Sequence, residues 1–183
     1  MNLEMKNIKH SEFASEETYC YQGSVYLDGK PFALVKNDGH GGCDYQYSHN
    51  KFKGEPEDYR ESMKNIDDYF KSLPNTDVGK YESIPEGFEQ TFERWCHEQV
   101  LNFLITRDVK RDLKKKKVVY QKKDDGKMGL FDYNINANSI IIKNKIPDAV
   151  ILNDLPIDEA VKIWRGHFGW RLLNAKLNWV AQT

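Results

Sequence analysis

The residues best equipped for chemistry stand in one short stretch: His40, Cys43, Asp44 and His49, within and just after the glycine loop Asn37-Asp38-Gly39-His40-Gly41-Gly42. Imidazole, thiolate and carboxylate are all zinc ligands, and glycines let a loop fold them toward one point. The spacing lacks the paired Cys or His of a structural zinc site. The competing reading is therefore a glycine-rich turn in which Cys43 packs and both histidines are exposed. Cys43 with His40 or His49 also has the types of a nucleophile and its base, a pairing that needs a lowered thiol pKa and a positioned ring. The loop offers successive backbone N–H groups to a phosphate, although it is neither a P-loop nor a dinucleotide fingerprint. Glu16, Glu17, Asp38 and Asp44 flank the strand ends beside this loop, with Lys30 and Lys36 nearby. They can converge on Mg²⁺ for phosphodiester cleavage, or simply serve their own turns.

A second group is electrostatic. Arg107–Lys123 holds nine basic residues and two acidic ones. Arg107, Lys110, Arg111, Lys114, Lys115 and Lys116 are its candidate partner-binding residues, and on a helix Arg107, Lys110, Arg111 and Lys114 share a face. Such a run suits a phosphate backbone or an acidic protein groove; the alternative is a solvated helix end complementing the helix dipole. Net charge is −1, yet residues 1–100 carry 11 Lys/Arg against 19 Asp/Glu, and residues 101–183 carry 16 against 9. His97 reads as a helix-surface or internally satisfied residue. Cys20 and Cys96 read as core, as do Trp164, Trp170 and Trp179.

The elements that must position these groups follow from periodicity. Residues 3–13 alternate weakly as a strand. Thr18–Leu27 alternates well, with Tyr19, Tyr21, Gly23, Val25 and Leu27 on one face and Cys20, Gln22, Ser24 and Tyr26 on the other. Asp28-Gly29 is the dipeptide of a type I′ turn, so Lys30–Lys36 is the returning strand of a hairpin. Pro56 opens a helix running to about Leu73, and a longer helix begins after Pro85 and extends toward Leu113. Val118–Gln121 reads as a short strand. Leu130–Asn136 and Ser139–Lys143 read as a pair of strands, and Ala149–Leu152 as a buried one. Asn153-Asp154-Leu155-Pro156 starts another helix, and Phe168–Val180 forms a final helix or an extended tail. This order predicts an α+β fold: a mainly antiparallel sheet with an N-terminal β-hairpin, packed by two central helices and a C-terminal helical segment.

The chain has 183 residues, which suits a single domain over 1–183. An aromatic share of 13% argues against disorder even with 30% charged residues. No apolar leader opens the sequence and no apolar run is long enough for a membrane span, so the expected setting is cytoplasmic, without membrane association. Three cysteines without a CxxC pair fit reduced thiols.

Two segments, SEETYCYQGSVYLDGKPFALVKNDGHGG and PDAVILNDLP, resemble a family of short phage and prophage proteins, most of them without an assigned function. Ser15, Glu17, Thr18, Cys20, Asp28, Gly29, Lys30, Asn37, Gly39, Gly41 and Gly42 carry the first match. Asn153, Leu155 and Pro156 carry the second. The resemblance implies an accessory gene of a mobile element, acting within the host cell. By analogy of context it implies counter-defence, most concretely an anti-CRISPR protein bound to a nuclease–guide RNA assembly, with RNA a possible direct partner. No catalytic assignment and no cofactor come with it. The alternative expectation is a metal-dependent nuclease or RNA-processing factor using the acidic and His residues near the hairpin loop, with a divalent metal.

Overall fold

A computed structural model describes residues 1–75, 87–114, 118–121, 128–131 and 135–164. Contacts divide the chain into two compact units, Met1–Leu101 and Asn102–Thr183. The fold is α+β, as the segregation of patterns predicts.

The first unit is built on a four-stranded antiparallel sheet in the order β1-β2-β3-β4: β1 Leu3–Ser11, β2 Cys20–Leu27, β3 Lys30–Asn37 and β4 Tyr45–Ser48. Asp28 and Gly29 both take positive φ, 47° and 78°, as the type I′ turn between β2 and β3 requires. The Asp28 carboxylate accepts the Asn2 N–H at 2.8 Å, tying the turn to the start of β1. β4 has no counterpart among the sequence expectations, because four residues with one Tyr on either side of Gln46 give too short an alternation to stand out.

Register sets the two faces. Gln22 pairs with Lys36 and Lys36 with Tyr45, while Gly23 pairs with Val35 and Val35 with Gln46. Tyr21, Val25, Ala33 and Val35 are buried; Gln22, Lys36, Tyr45 and Tyr47 are exposed. One face therefore meets the core and the other is open. α1, Pro56–Ser72, supplies buried Ile66 and Phe70. Pro56 at its start has a preset φ, and Asp58 accepts the Glu55 N–H at 2.8 Å. Ring contacts join these pieces: Phe32 lies 5.0 Å from Tyr59, Phe70 lies 6.4 Å from Phe92, and Phe92 stacks on Trp95 at 5.9 Å. α2, Phe92–Lys114, begins in this unit and buries Phe92, Cys96, Val100 and Leu101 there.

The second unit contains the rest of α2, with Leu104, Ile105 and Val109 buried, and a three-stranded antiparallel sheet in the order β6-β5-β7. Its strands are β5 Val118–Gln121, β6 Met128–Phe131 and β7 Val150–Ile151. The expected strand over Ser139–Lys143 is instead part of a helix, α3, Ile135–Lys145, and the expected strand beginning at Leu130 ends at Phe131. Three consecutive isoleucines read as β on propensity, but only Ile142 is buried, at 1%, while Ile140 and Ile141 are 62% and 43% exposed. Tertiary packing of one position in three overrides β-branched preference. Val150–Ile151 passes directly into a tight helical turn at Leu152–Asp154, and a further helical stretch covers 157–164. The expected element at Phe168–Val180 lies outside the described residues.

Candidate functional site

The side-chain centre of the first unit is Asp44. It lies between the glycine loop and β4, and its side chain is fully buried, with 0% exposure. A buried carboxylate needs donors for its lone pairs. Asp44 has three: the Tyr21 hydroxyl on one oxygen, and on the other the Asn37 amide at 3.1 Å and the His97 Nε2 at 3.2 Å. Its own N–H donates to the Glu93 carboxylate at 2.9 Å.

Each partner arrives from a different element for a local reason. Tyr21 and Asn37 are inward positions of β2 and β3 and pair across them. Glu93, Cys96 and His97 share one face of α2 through their i, i+3 and i+4 spacing. Burial raises the Tyr21 hydroxyl far above the ordinary phenol value, and Cys96, Asp44 and Glu93 add to the effect by disfavouring a further negative charge. Burial likewise raises the Cys96 thiol well above its ordinary value, helped by Asp44 and Glu93.

Asp44, Glu93 and His97 each offer one ligand atom, and these atoms lie within 4.8 Å of one another. Two carboxylates and an imidazole suit a divalent cation with mixed oxygen and nitrogen preference. Coordination would take the His97 Nε2 away from its present bond to Asp44.

The sequence set His40, Cys43, Asp44 and His49 is not brought together. His40 turns its Nδ1 to Glu16 at 3.2 Å on the exposed surface. Cys43 is exposed. His49 accepts the Lys51 N–H at 3.1 Å and tilts against Tyr26, with ring centroids 6.4 Å apart. Of the acidic set, Asp38 accepts the His40 N–H at 3.3 Å, and only Asp44 reaches the centre. The two residues that sequence reasoning left out of the metal set, Glu93 and His97, carry a faint signal: an acid and an imidazole four apart on a helix whose stripe includes Cys96.

The glycine loop bonds inward. The Gly39 carbonyl accepts the N–H groups of Glu16, Glu17 and Thr18, at 3.0, 2.9 and 3.1 Å. Asn37, 3% exposed, accepts from Thr18 Oγ1 at 2.7 Å and from the Gly39 N–H at 2.9 Å. Gly39 holds φ +91°, and a Cβ there would overlap the Ala14 carbonyl oxygen. Glu16, Glu17, Thr18, Asn37 and Gly39 thus belong to one knot that locks the 14–18 turn onto the loop. Gly41 and Gly42 also take positive φ.

The open sheet face differs in kind. Tyr45 and Tyr47 are 51% and 47% exposed, and Lys36 Nζ lies 5.6 and 5.3 Å from their ring centroids. Lys6 Nζ sits 4.8 Å from the Tyr26 centroid. Lys9, Gln22, Lys36 and Tyr45 help line a depression of about 500 Å³ at one end of this face.

In the second unit, Arg107 and Arg111 are exposed but paired: Arg107 with Asp108 at 3.2 Å, and Arg111 with Asp108 and Asp112 at 3.2 and 3.3 Å. Lys110 is exposed. Exposed pairs of this type are weak, so both guanidinium groups can exchange partners. Lys115 and Lys116 lie outside the described residues, as does the side chain of Lys114.

Fold and site together define an α+β protein whose N-terminal sheet carries a buried carboxylate centre on one face and a lysine–tyrosine surface on the other. No family model, curated protein or solved structure matches the chain. Among the described residues no helix is long and apolar enough to cross a membrane.

Proposed function

We propose that the protein works by binding, as a phage- or prophage-encoded accessory protein that inhibits a host nucleoprotein defence complex in the host cytoplasm. Its concrete form is an anti-CRISPR protein engaging a nuclease–guide RNA assembly. The observation that carries this reading is the open sheet face, where exposed tyrosines and lysines alternate with residues committed to the core. Aromatic and cationic side chains together suit a phosphate-bearing partner. Arg107, Lys110 and Arg111 supply a second basic group. The test is a host whose RNA-guided nuclease restricts a phage. Expression of this protein restores plaque formation, and the purified protein co-elutes with the nuclease–guide RNA complex. Absence of both effects overturns the reading.

The alternative, a metal-dependent nuclease or RNA-processing enzyme, is favoured by one observation: the grouping of Asp44, Glu93 and His97. Here the acidic set Glu16, Glu17, Asp38 and Asp44 gives way to Asp44, Glu93 and His97 as the catalytic set. Calorimetry with Mn²⁺ and a divalent-dependent cleavage assay test it. Glu93→Gln in a folded protein abolishes both signals if the reading holds. Metal affinity unchanged by that substitution removes it.

A further inference from the structure

We infer that the open face of the N-terminal sheet is a stacking platform for single-stranded RNA, an inference that rests on the nucleoprotein reading above. The first argument is register. Lys9 pairs with Gln22, Gln22 with Lys36, and Lys36 with Tyr45, so one row across all four strands runs Lys, Gln, Lys, Tyr on the same side. The next row holds Lys6, Ser24, Leu34 and Tyr47. Paired positions share a face, so these rows project together from the sheet.

The second argument is chemical. Unpaired bases bind by stacking on aromatic rings while cations track the phosphates. Tyr45 and Tyr47 are two residues apart on an edge strand and half exposed, giving two rings side by side with no core role. Lys36 lies near both rings, within cation–π distance, and Lys6 stands over Tyr26. The ammonium groups thus stand over the ring faces, and a base that stacks there displaces them toward its own phosphates. Among the described residues on this face, Glu4 is paired with Lys6 at 2.9 Å, and Asp38 lies at the loop end. The rows between them present lysine and neutral side chains, which favours a polyanion.

The third argument excludes a duplex. Stacking needs bases splayed from their partners, which a paired helix withholds. The depression lined by Lys9, Gln22, Lys36 and Tyr45 is large enough for one base, and Gln22 brings an amide able to bond a base edge.

The test is fluorescence anisotropy of the full chain with a labelled, unstructured RNA of about twelve nucleotides, within the span such platforms cover. The expected result is saturable binding that the paired form of the same RNA does not match. Tyr45→Ala with Tyr47→Ala weakens it about tenfold or more, with an unchanged circular dichroism spectrum. Lys36→Gln lowers the slope of log affinity against log salt by about 0.7. Affinity within about twofold of the parent in the double variant overturns the inference, as does equal affinity for duplex RNA or tighter binding of the matching DNA strand. Co-elution with a nuclease–guide RNA complex, run in parallel, separates the two claims. RNA binding without co-elution overturns the defence-complex reading and leaves the platform standing. Co-elution by a protein with no affinity for free RNA does the reverse.

Discussion

Residues 36 and 37 are neighbours on one strand, yet they belong to two different regimes. Asn37 points inward, spends its amide on Thr18, Gly39 and Asp44, and is 3% exposed. Lys36 points outward and lies against two half-exposed tyrosine rings. The same contrast holds for Tyr21 and Gln22 on the adjacent strand. One sheet thus has a face whose polar groups bond to one another and a face whose polar groups look to solvent. The first is built for rigidity; the second can exchange partners without unfolding anything.

That contrast can be broken from the inner side first. Gly39→Ala should have the largest effect, because the new methyl group meets the Ala14 carbonyl at a φ of +91°. The expected loss is about 3 kcal/mol or more, read by urea denaturation. Asp44→Ala comes next. It strands the Tyr21 hydroxyl, the Asn37 amide and His97, and should cost about 3 kcal/mol by the same measurement. If either variant unfolds with the parent's midpoint, the inner face is not the rigid region described.

Alkaline pH sharpens the same comparison more gently. Tyr21 and Cys96 both keep their protons in the folded chain beyond their ordinary values of 10.0 and 9.0. Above those values the unfolded chain loses protons that the folded chain retains. Their contribution to stability is therefore complete below pH 9.0 and falls as pH rises past 9.0 and then 10.0. Tyr21→Phe should flatten the upper part of that decline. A melting temperature constant from neutral pH to beyond 10.0 contradicts the assignment. The smallest effect on folding belongs to the outer face: Tyr45→Ala with Tyr47→Ala should change stability by less than about 0.5 kcal/mol while reducing RNA affinity.

The sequence made the hairpin legible because three signals agree there: alternation on both arms, Asp28-Gly29 between them and a glycine loop after them. The helices at Pro56–Ser72 and Phe92–Lys114 follow from apolar stripes of helical period. α3 was hidden because Ile140, Ile141 and Ile142 carry strand propensity, and only packing reveals that one of them faces inward. The candidate centre was half legible. Asp44 stood out beside the glycines, whereas His97 and Glu93 come from 53 and 49 residues away, a proximity no local pattern encodes. The open face was hidden for a similar reason: its rows draw one residue from each of four strands, and the strand bearing both exposed tyrosines is too short to declare itself.

Cys96 has a practical consequence. Its thiol is enclosed and protonated, while Cys43, close along the chain to the same centre, stands in solvent. An alkylating reagent at neutral pH should therefore modify Cys43 at once and leave Cys96 silent until the helix lifts from the sheet. With the half-buried Cys20 replaced by serine, the slow phase of that reaction becomes a clock for local opening, and any ligand that grips this region should slow it.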